Sequence, residues 1–206
     1  MKAQIQLLNA DCISEMKNFP DKYFDLAVVD PPYGININAN LARKKGKRKR
    51  FAEATWDDQI PSAEYFSELF RVSKNQIIWG GNYFPLGPCK HFIFWDKLTG
   101  IGMSLADGEF AWTSFEKAPR KFVYMARSQK NRIHPTQKPI ELYDWIFKNY
   151  AKPGDKIIDT HLGSGSSAIA AERAGLEFFA TEIDPEYFKA TKKRFELHIS
   201  QTRLFL

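Results

Sequence analysis

Residues 157–171 read IIDTHLGSGSSAIAA, an apolar run, a turn with two glycines and a small-residue helical stretch in immediate succession. A chain that makes this unit has few folds open to it. Gly163 and Gly165 permit a backbone path and a close approach that side chains forbid, and the helix behind them offers free N–H groups to an anion. Glu182 closes the next apolar run, LEFFATEI, where nucleotide-binding sheets place an acid on ribose hydroxyls. Gly163, Gly165 and Ala168 also fit the G-x-G-x-x-A fingerprint, a pattern that structural turns share.

Such a unit needs neighbours of its own kind, and the chain supplies them. AQIQLLN, FDLAVVD, NQIIWG, KHFIFWD, KFVYMA, DKIIDT and LEFFATEI read as strands. Helical stretches lie between most of them: around Ile13 to Lys17, AEYFSELFRVS, IELYDWIFKNYA after Pro139, and SSAIAAERAG closed by Gly175. A last helix starts with Asp184 as N-cap and Pro185 in its first turn. This alternation predicts an α/β fold, a doubly wound and mostly parallel Rossmann-like sheet, as one domain over residues 1–206. Two stretches stand apart. Residues 35–56 form a long irregular insertion, and residues 97–131 carry Gly100, Gly102 and Gly108, which weaken any regular element there.

The 206 residues, 44% hydrophobic and 15% aromatic, suffice for one core. No run approaches the roughly 18 apolar residues of a membrane span, and the N-terminus lacks the pattern of a secretory signal. Cys12 and Cys89 lie far apart with no ligand spacing around them, so free thiols in a cytoplasmic setting and no metal are expected. The net charge of +6 is local. Arg43, Lys44, Lys45, Lys47, Arg48, Lys49 and Arg50 carry seven positive charges, and the remaining chain is near neutral. Such a run suits either a solvated loop or contact with a polyanion such as a phosphate backbone.

The acid ahead of the glycine turn narrows the ligand. Asp159 gains nothing beside a pyrophosphate, but it suits a ligand with a cationic end. S-adenosylmethionine has an amine and a sulfonium, a carboxylate for the helix N-terminus, and a ribose for Glu182. Asp30-Pro31-Pro32-Tyr33 then gains a role. A strand delivers Asp30 to the carboxyl edge of the sheet, where open α/β folds bind ligands. The prolines stiffen the backbone and hold the Pro31 carbonyl beside the Asp30 carboxylate. Two acceptors so placed match the two hydrogens of a planar amino group, and Tyr33 offers a face for stacking.

These residues resemble the amino-group DNA methyltransferases with permuted motif order, in which DPPY precedes the glycine turn, and above all the small adenine-N6 enzymes of bacteriophages. LLNADC, DLAVVDPPYG, IIWGGNYF, FWDK, FAWTSF, IHPTQKP, DTHLGSGS and TEID follow the family's order over nearly the whole chain. The resemblance implies that Asp30, Pro31, Pro32 and Tyr33 hold the target base in catalysis. It implies that Thr136, Gln137 and Lys138 line the methionine end of the cofactor, with Asp159, Thr160, Gly163, Ser164 and Gly165. Asp11, beside Cys12, would take the cofactor adenine amine, and Glu182 the ribose. The family often reads D-P-F where this chain has Asp159-Thr160-His161, so His161 is expected as a wall of the site, and His134 as a structural partner.

DNA is the implied partner, contacted through the run from Arg43 to Arg50, with residues 97–131 as a small target-recognition segment. The implied setting is the cytoplasm of a bacterial or phage-infected cell. Homodimerisation, a restriction nuclease partner and the target sequence stay open. So do other readings: cytosine-N4 methylation, an RNA or protein amino-methyltransferase, an NAD-dependent oxidoreductase that leaves DPPY unused, and a DNA-binding module without catalysis.

Overall fold

The computed structural model describes residues 3–35, 57–99, 106–125 and 132–203. The run from Arg43 to Arg50 lies outside these, as does nearly all of the insertion. Eight strands are present among the described residues: β1 (Gln4–Asn9), β2 (Phe24–Val29), β3 (Ser73–Trp79), β4 (Phe92–Asp96), β5 (Gly108–Thr113), β6 (Arg120–Val123), β7 (Lys156–Asp159) and β8 (Glu177–Glu182). They form one sheet in the order β1-β8-β7-β2-β3-β5-β4-β6. The expected Rossmann-like sheet is there, with β1, β8, β7, β2 and β3 parallel throughout.

Helices cover both faces because strand residues alternate in direction. Leu26 and Val28 of β2 join one core with Ile77, Trp79 and Ile157, packed beneath α3 (Ile140–Tyr150) and α4 (Ser166–Arg173). Ala27 and Val29 join the other with Ile78, Ile158 and Phe179, against α1 (Cys12–Met16) and α2 (Ala63–Val72). The near-continuous apolar strands of the parallel half follow from this double burial. The last helix, α5 (Pro185–Arg203), is capped as expected: Asp184 Oδ1 accepts from the N–H groups of Glu186 and Tyr187. Among the described residues, no helix is long and apolar enough to cross a membrane.

One expectation fails. The stretch around Gly108, read as too glycine-rich for regular structure, begins β5, which pairs antiparallel with both β3 and β4. Gly108 marks a close approach in this strand rather than its end. A Cβ there would lie 2.3 Å from the Phe94 ring and 2.5 Å from the Trp95 carbonyl oxygen, so only glycine permits the approach.

The site-forming feature is the junction of β2 and β7. The chain leaves β2 toward α2 and β3 on one side, and leaves β7 toward α4 and β8 on the other. Their carboxyl ends therefore flank a crevice at a topological switch point. Asp159 ends β7, and Asp30 follows the last residue of β2.

Candidate functional site

Asp30 lines a cavity of about 460 Å³ together with Pro31, Pro32, Tyr33 and Lys138. Both of its oxygens have partners. Oδ1 accepts from the Tyr33 hydroxyl at 2.7 Å, and Oδ2 lies 2.6 Å from Lys138 Nζ. Burial pushes the Asp30 carboxyl up, and the Lys138 ammonium opposes that shift. The tetrapeptide is pinned from behind. Asp57, 3% exposed, accepts from the backbone N–H groups of Tyr33 at 2.8 Å and Gly34 at 3.1 Å.

Tyr33 has an aromatic companion. Its ring stacks on Tyr83 with centroids 5.0 Å apart and planes 15° from parallel. Tyr83 is 44% exposed, so the pair carries its aromatic surface to the mouth of the cavity.

The glycine turn lies on the other side of the β2–β7 junction, and none of its residues lines the cavity. Gly163 (φ 51°) and Gly165 (φ 71°) both take the left-handed conformation expected of a tight turn. Helix α5 grips the turn from outside: Arg194 donates to the Ser164 carbonyl at 2.6 Å, and the Thr191 hydroxyl donates to the Gly163 carbonyl. Helix α4 has Gly165 as its N-cap and no side-chain cap, and its first residues, Ser166 and Ser167, are buried.

Two acids frame this turn. Asp159, 2% exposed, accepts from Ser167 Oγ at 2.6 Å and the His161 N–H at 3.1 Å, both neutral donors. Burial therefore dominates and lifts its carboxyl to about 7. Glu182 accepts from the Gly163 N–H at 2.8 Å and the Asp184 N–H at 3.0 Å, which fixes the turn and the start of α5 together. Burial raises its carboxyl as well.

The other residues named from the sequence make these contacts. The Thr160 hydroxyl joins Tyr65 at 2.7 Å and His161 Nδ1 at 2.9 Å, and burial lowers the imidazole to about 4, so His161 is neutral. Thr136 and His134 Nδ1 are 3.0 Å apart, while His134 packs edge-on against Tyr187 of α5. Gln137 accepts from the Ile133 N–H, shaping the loop. Asp11 caps α1 by accepting from Ser14, and the Cys12 thiol is pushed up to about 12 by burial.

Lys138, expected at the methionine end of the cofactor, is on Asp30. It also lies 2.9 Å from Glu109 Oε2, and Glu109 in turn pairs with Lys97. Burial works against the charge on Glu109, but the two lysines outweigh it and hold that carboxyl at about 2. Glu109 and Asp57 are not legible as site residues, because only the antiparallel strand β5 and the close of the insertion bring them here; Tyr83 and Lys97 lie within IIWGGNYF and FWDK, motif segments that assign them no role.

Residues 78–193, more than half of the chain, match the model of the DNA methylase family N6_N4_Mtase, and the chain belongs to that family. Type II methyltransferase M.HinfI of Haemophilus influenzae is 21% identical over 247 residues, covering 91% of this chain and 67% of that protein. Type II methyltransferase M2.DpnII of Streptococcus pneumoniae is 29% identical over 145 residues, covering 69% of this chain and 49% of that protein. The chain thus spans about half to two thirds of the length of these curated relatives. Among solved structures, the M1.HpyAVI–SAM complex superposes with a TM-score of 0.62 at 22% identity, covering 93% of this chain and 99% of that one. PvuII DNA methyltransferase, titled cytosine-N4-specific, gives 0.63 at 14% identity, covering 95% and 87%. At such identities the structures speak for the fold.

Proposed function

We propose that the chain transfers a methyl group from S-adenosylmethionine to the N6 amine of adenine in DNA. The observation that carries this reading is the half-buried Asp30 carboxylate at the switch point, lining a cavity beside the stacked Tyr33–Tyr83 pair. Family membership supports DNA as the substrate class.

The residues around the glycine turn fit the cofactor. The uncapped N-terminus of α4 suits its carboxylate, and Glu182 retains lone pairs for ribose hydroxyls. Asp159, buried among neutral donors, would gain a cation from the methionine amine. Bound S-adenosylmethionine supplies an electrophilic methyl group on a sulfonium.

The chain's own residues make the amine able to attack. An aromatic amine is a poor nucleophile because its lone pair is spread into the ring. Asp30 and the Pro31 carbonyl accept its two hydrogens, favour a pyramidal nitrogen and stabilise the positive charge that develops there. Asp57 and the prolines hold this acceptor pair still, which contributes the orientation term. Tyr33 and Tyr83 offset the cost of unstacking an extruded base. The run from Arg43 to Arg50 supplies phosphate contacts.

Adenine rather than cytosine rests on the family likeness of Asp30 with Tyr33, since both amines suit the same acceptors. Plasmid treated with the protein and methyl-labelled cofactor, digested to nucleosides and separated by chromatography, tests it. The expected product is N6-methyladenine; N4-methylcytosine without methyladenine would overturn the assignment.

A further inference from the structure

Lys138 meets two carboxylates and a hydroxyl through one buried ammonium. Nζ lies 2.6 Å from Asp30 Oδ2 and 2.9 Å from Glu109 Oε2, and it donates to the Tyr33 hydroxyl at 3.3 Å. The side chain is 3% exposed, with its charge over the Trp79 ring at 5.2 Å and the Tyr33 ring at 5.7 Å. Charges alternate along the series Asp30, Lys138, Glu109, Lys97, and all four side chains line the cavity. Stability does not call for this. A buried ion pair is commonly no more stabilising than apolar residues of the same volume, so a series of four charges at a cavity wall points to use.

We propose that Lys138 reads the target base, donating to the ring nitrogen beside the amine that Asp30 accepts, with Glu109 as its positioning residue. The proposal rests on the amino-methylation reading above. Asp30 and Lys138 set a carboxylate acceptor next to an ammonium donor. The complementary edge is an amine next to an unprotonated ring nitrogen: N6 and N1 of adenine, or N4 and N3 of cytosine. On the Watson–Crick edge guanine and thymine carry a ring N–H instead, which an ammonium repels. The longest of the Lys138 interactions, the one to Tyr33, is the one that a ring nitrogen replaces. Asp30 and Glu109 keep the ammonium in place, and Lys97 offsets the charge that Glu109 brings.

The test removes the ring nitrogen while keeping the amine. Two duplexes are compared, one with adenine and one with 1-deazaadenine at the target, each opposite an abasic site so that base pairing is equally absent. The wild-type chain should lose on the order of 10- to 100-fold in kcat/KM on 1-deazaadenine, the range expected for a hydrogen bond from a charged group. Lys138→Met should show a comparable loss on adenine and no further loss on 1-deazaadenine. Glu109→Gln, which keeps the shape, should narrow the ratio between the two substrates, an effect that a merely structural role would not produce. A thermal melt with and without cofactor checks that the variants fold. If they do not, the wild-type comparison decides alone: equal kcat/KM on both substrates overturns the proposal. If cytosine proves to be the target, 3-deazacytosine replaces 1-deazaadenine. A chain that methylates neither base overturns the amino-methylation reading and this proposal with it.

Discussion

Tyr33 packs directly on the backbone of Gly80. A Cβ at that glycine would lie 2.2 Å from Cε1 of the tyrosine ring, and the backbone there is left-handed, with φ of 69°. The ring that stacks on Tyr83 and donates to Asp30 therefore owes its position to a missing side chain just beyond the end of β3.

Gly80→Ala should consequently damage the site more than the fold. Backbone strain and displacement of Tyr33 are expected to cost about 1–3 kcal/mol of stability, and kcat/KM should fall at least about tenfold as the Asp30–Tyr33 bond breaks. Gly87→Ala, where nothing lies within 4 Å of the added carbon, is the control and should change both by little. Chemical denaturation and steady-state kinetics on the two variants measure this. Equal effects would remove Tyr33 placement from the account.

S-adenosylmethionine should raise the melting temperature, and NAD should not. A ligand at about 100 times its Kd adds roughly 2.7 kcal/mol to the folded state. Glu182→Ala should weaken the shift, since Glu182 braces the Gly163 N–H and the start of α5. Asp30→Asn should keep the shift and abolish turnover. A shift with NAD alone would sink the methyltransferase reading.

Asp159 makes both stability and cofactor affinity depend on pH. Its folded carboxyl, lifted by burial from 3.8 to about 7, binds a proton more tightly than the unfolded chain does. Stability from this group is therefore present in acid and declines as pH rises from about 4 to about 7, by up to about 4 kcal/mol. Asp159→Asn should flatten that decline in urea titrations of the ligand-free protein. A cationic cofactor amine prefers the ionised carboxylate, so affinity should increase across the same interval, with proton release. Calorimetry in buffers of different ionisation heat detects that proton; affinity independent of pH would separate Asp159 from the amine.

Replacing the lysines and arginines from Arg43 through Arg50 with serines should lower DNA affinity on every sequence. Each phosphate that is no longer neutralised takes about 0.9 off the steepness of log K against log salt. Binding titrations at several salt concentrations give that slope, and an unchanged value would make the run a solvated loop. Discrimination between sequences should survive better than affinity, because phosphate contacts position and base contacts specify.

How far the chain can be read depends on distance along it. The parallel strands announce themselves because double burial makes them continuous apolar runs, and Asp30 and Asp159 are legible because each stands at the end of one. Strand β5 is hidden by Gly108, whose purpose is visible only once the Phe94 ring lies over it. Glu109 and Asp57 follow the same logic. An isolated carboxylate carries no local sign of its partner, and these two meet Lys138 and the Tyr33 backbone only through the topology. Lys138 is found by its motif, the segment HPTQKP, but its ion pairs with Asp30 and Glu109 are visible only in the fold.

The junction of β2 and β7 also sets a clock on the ribosome. Lys156 at the start of β7 donates its backbone N–H to Asp25 in β2, a contact that spans 131 residues, and β1 pairs with β8 near the other end of the chain. Contacts so distant close slowly and leave strand edges exposed while they wait. Half-made chains hold Asp30 with its flanking strand position empty, so nascent polypeptide has no crevice in which to do chemistry. The crevice forms only once β7 is made, and two fragments that together carry residues 1–206, split between residues 125 and 132, should be inert alone and active when mixed.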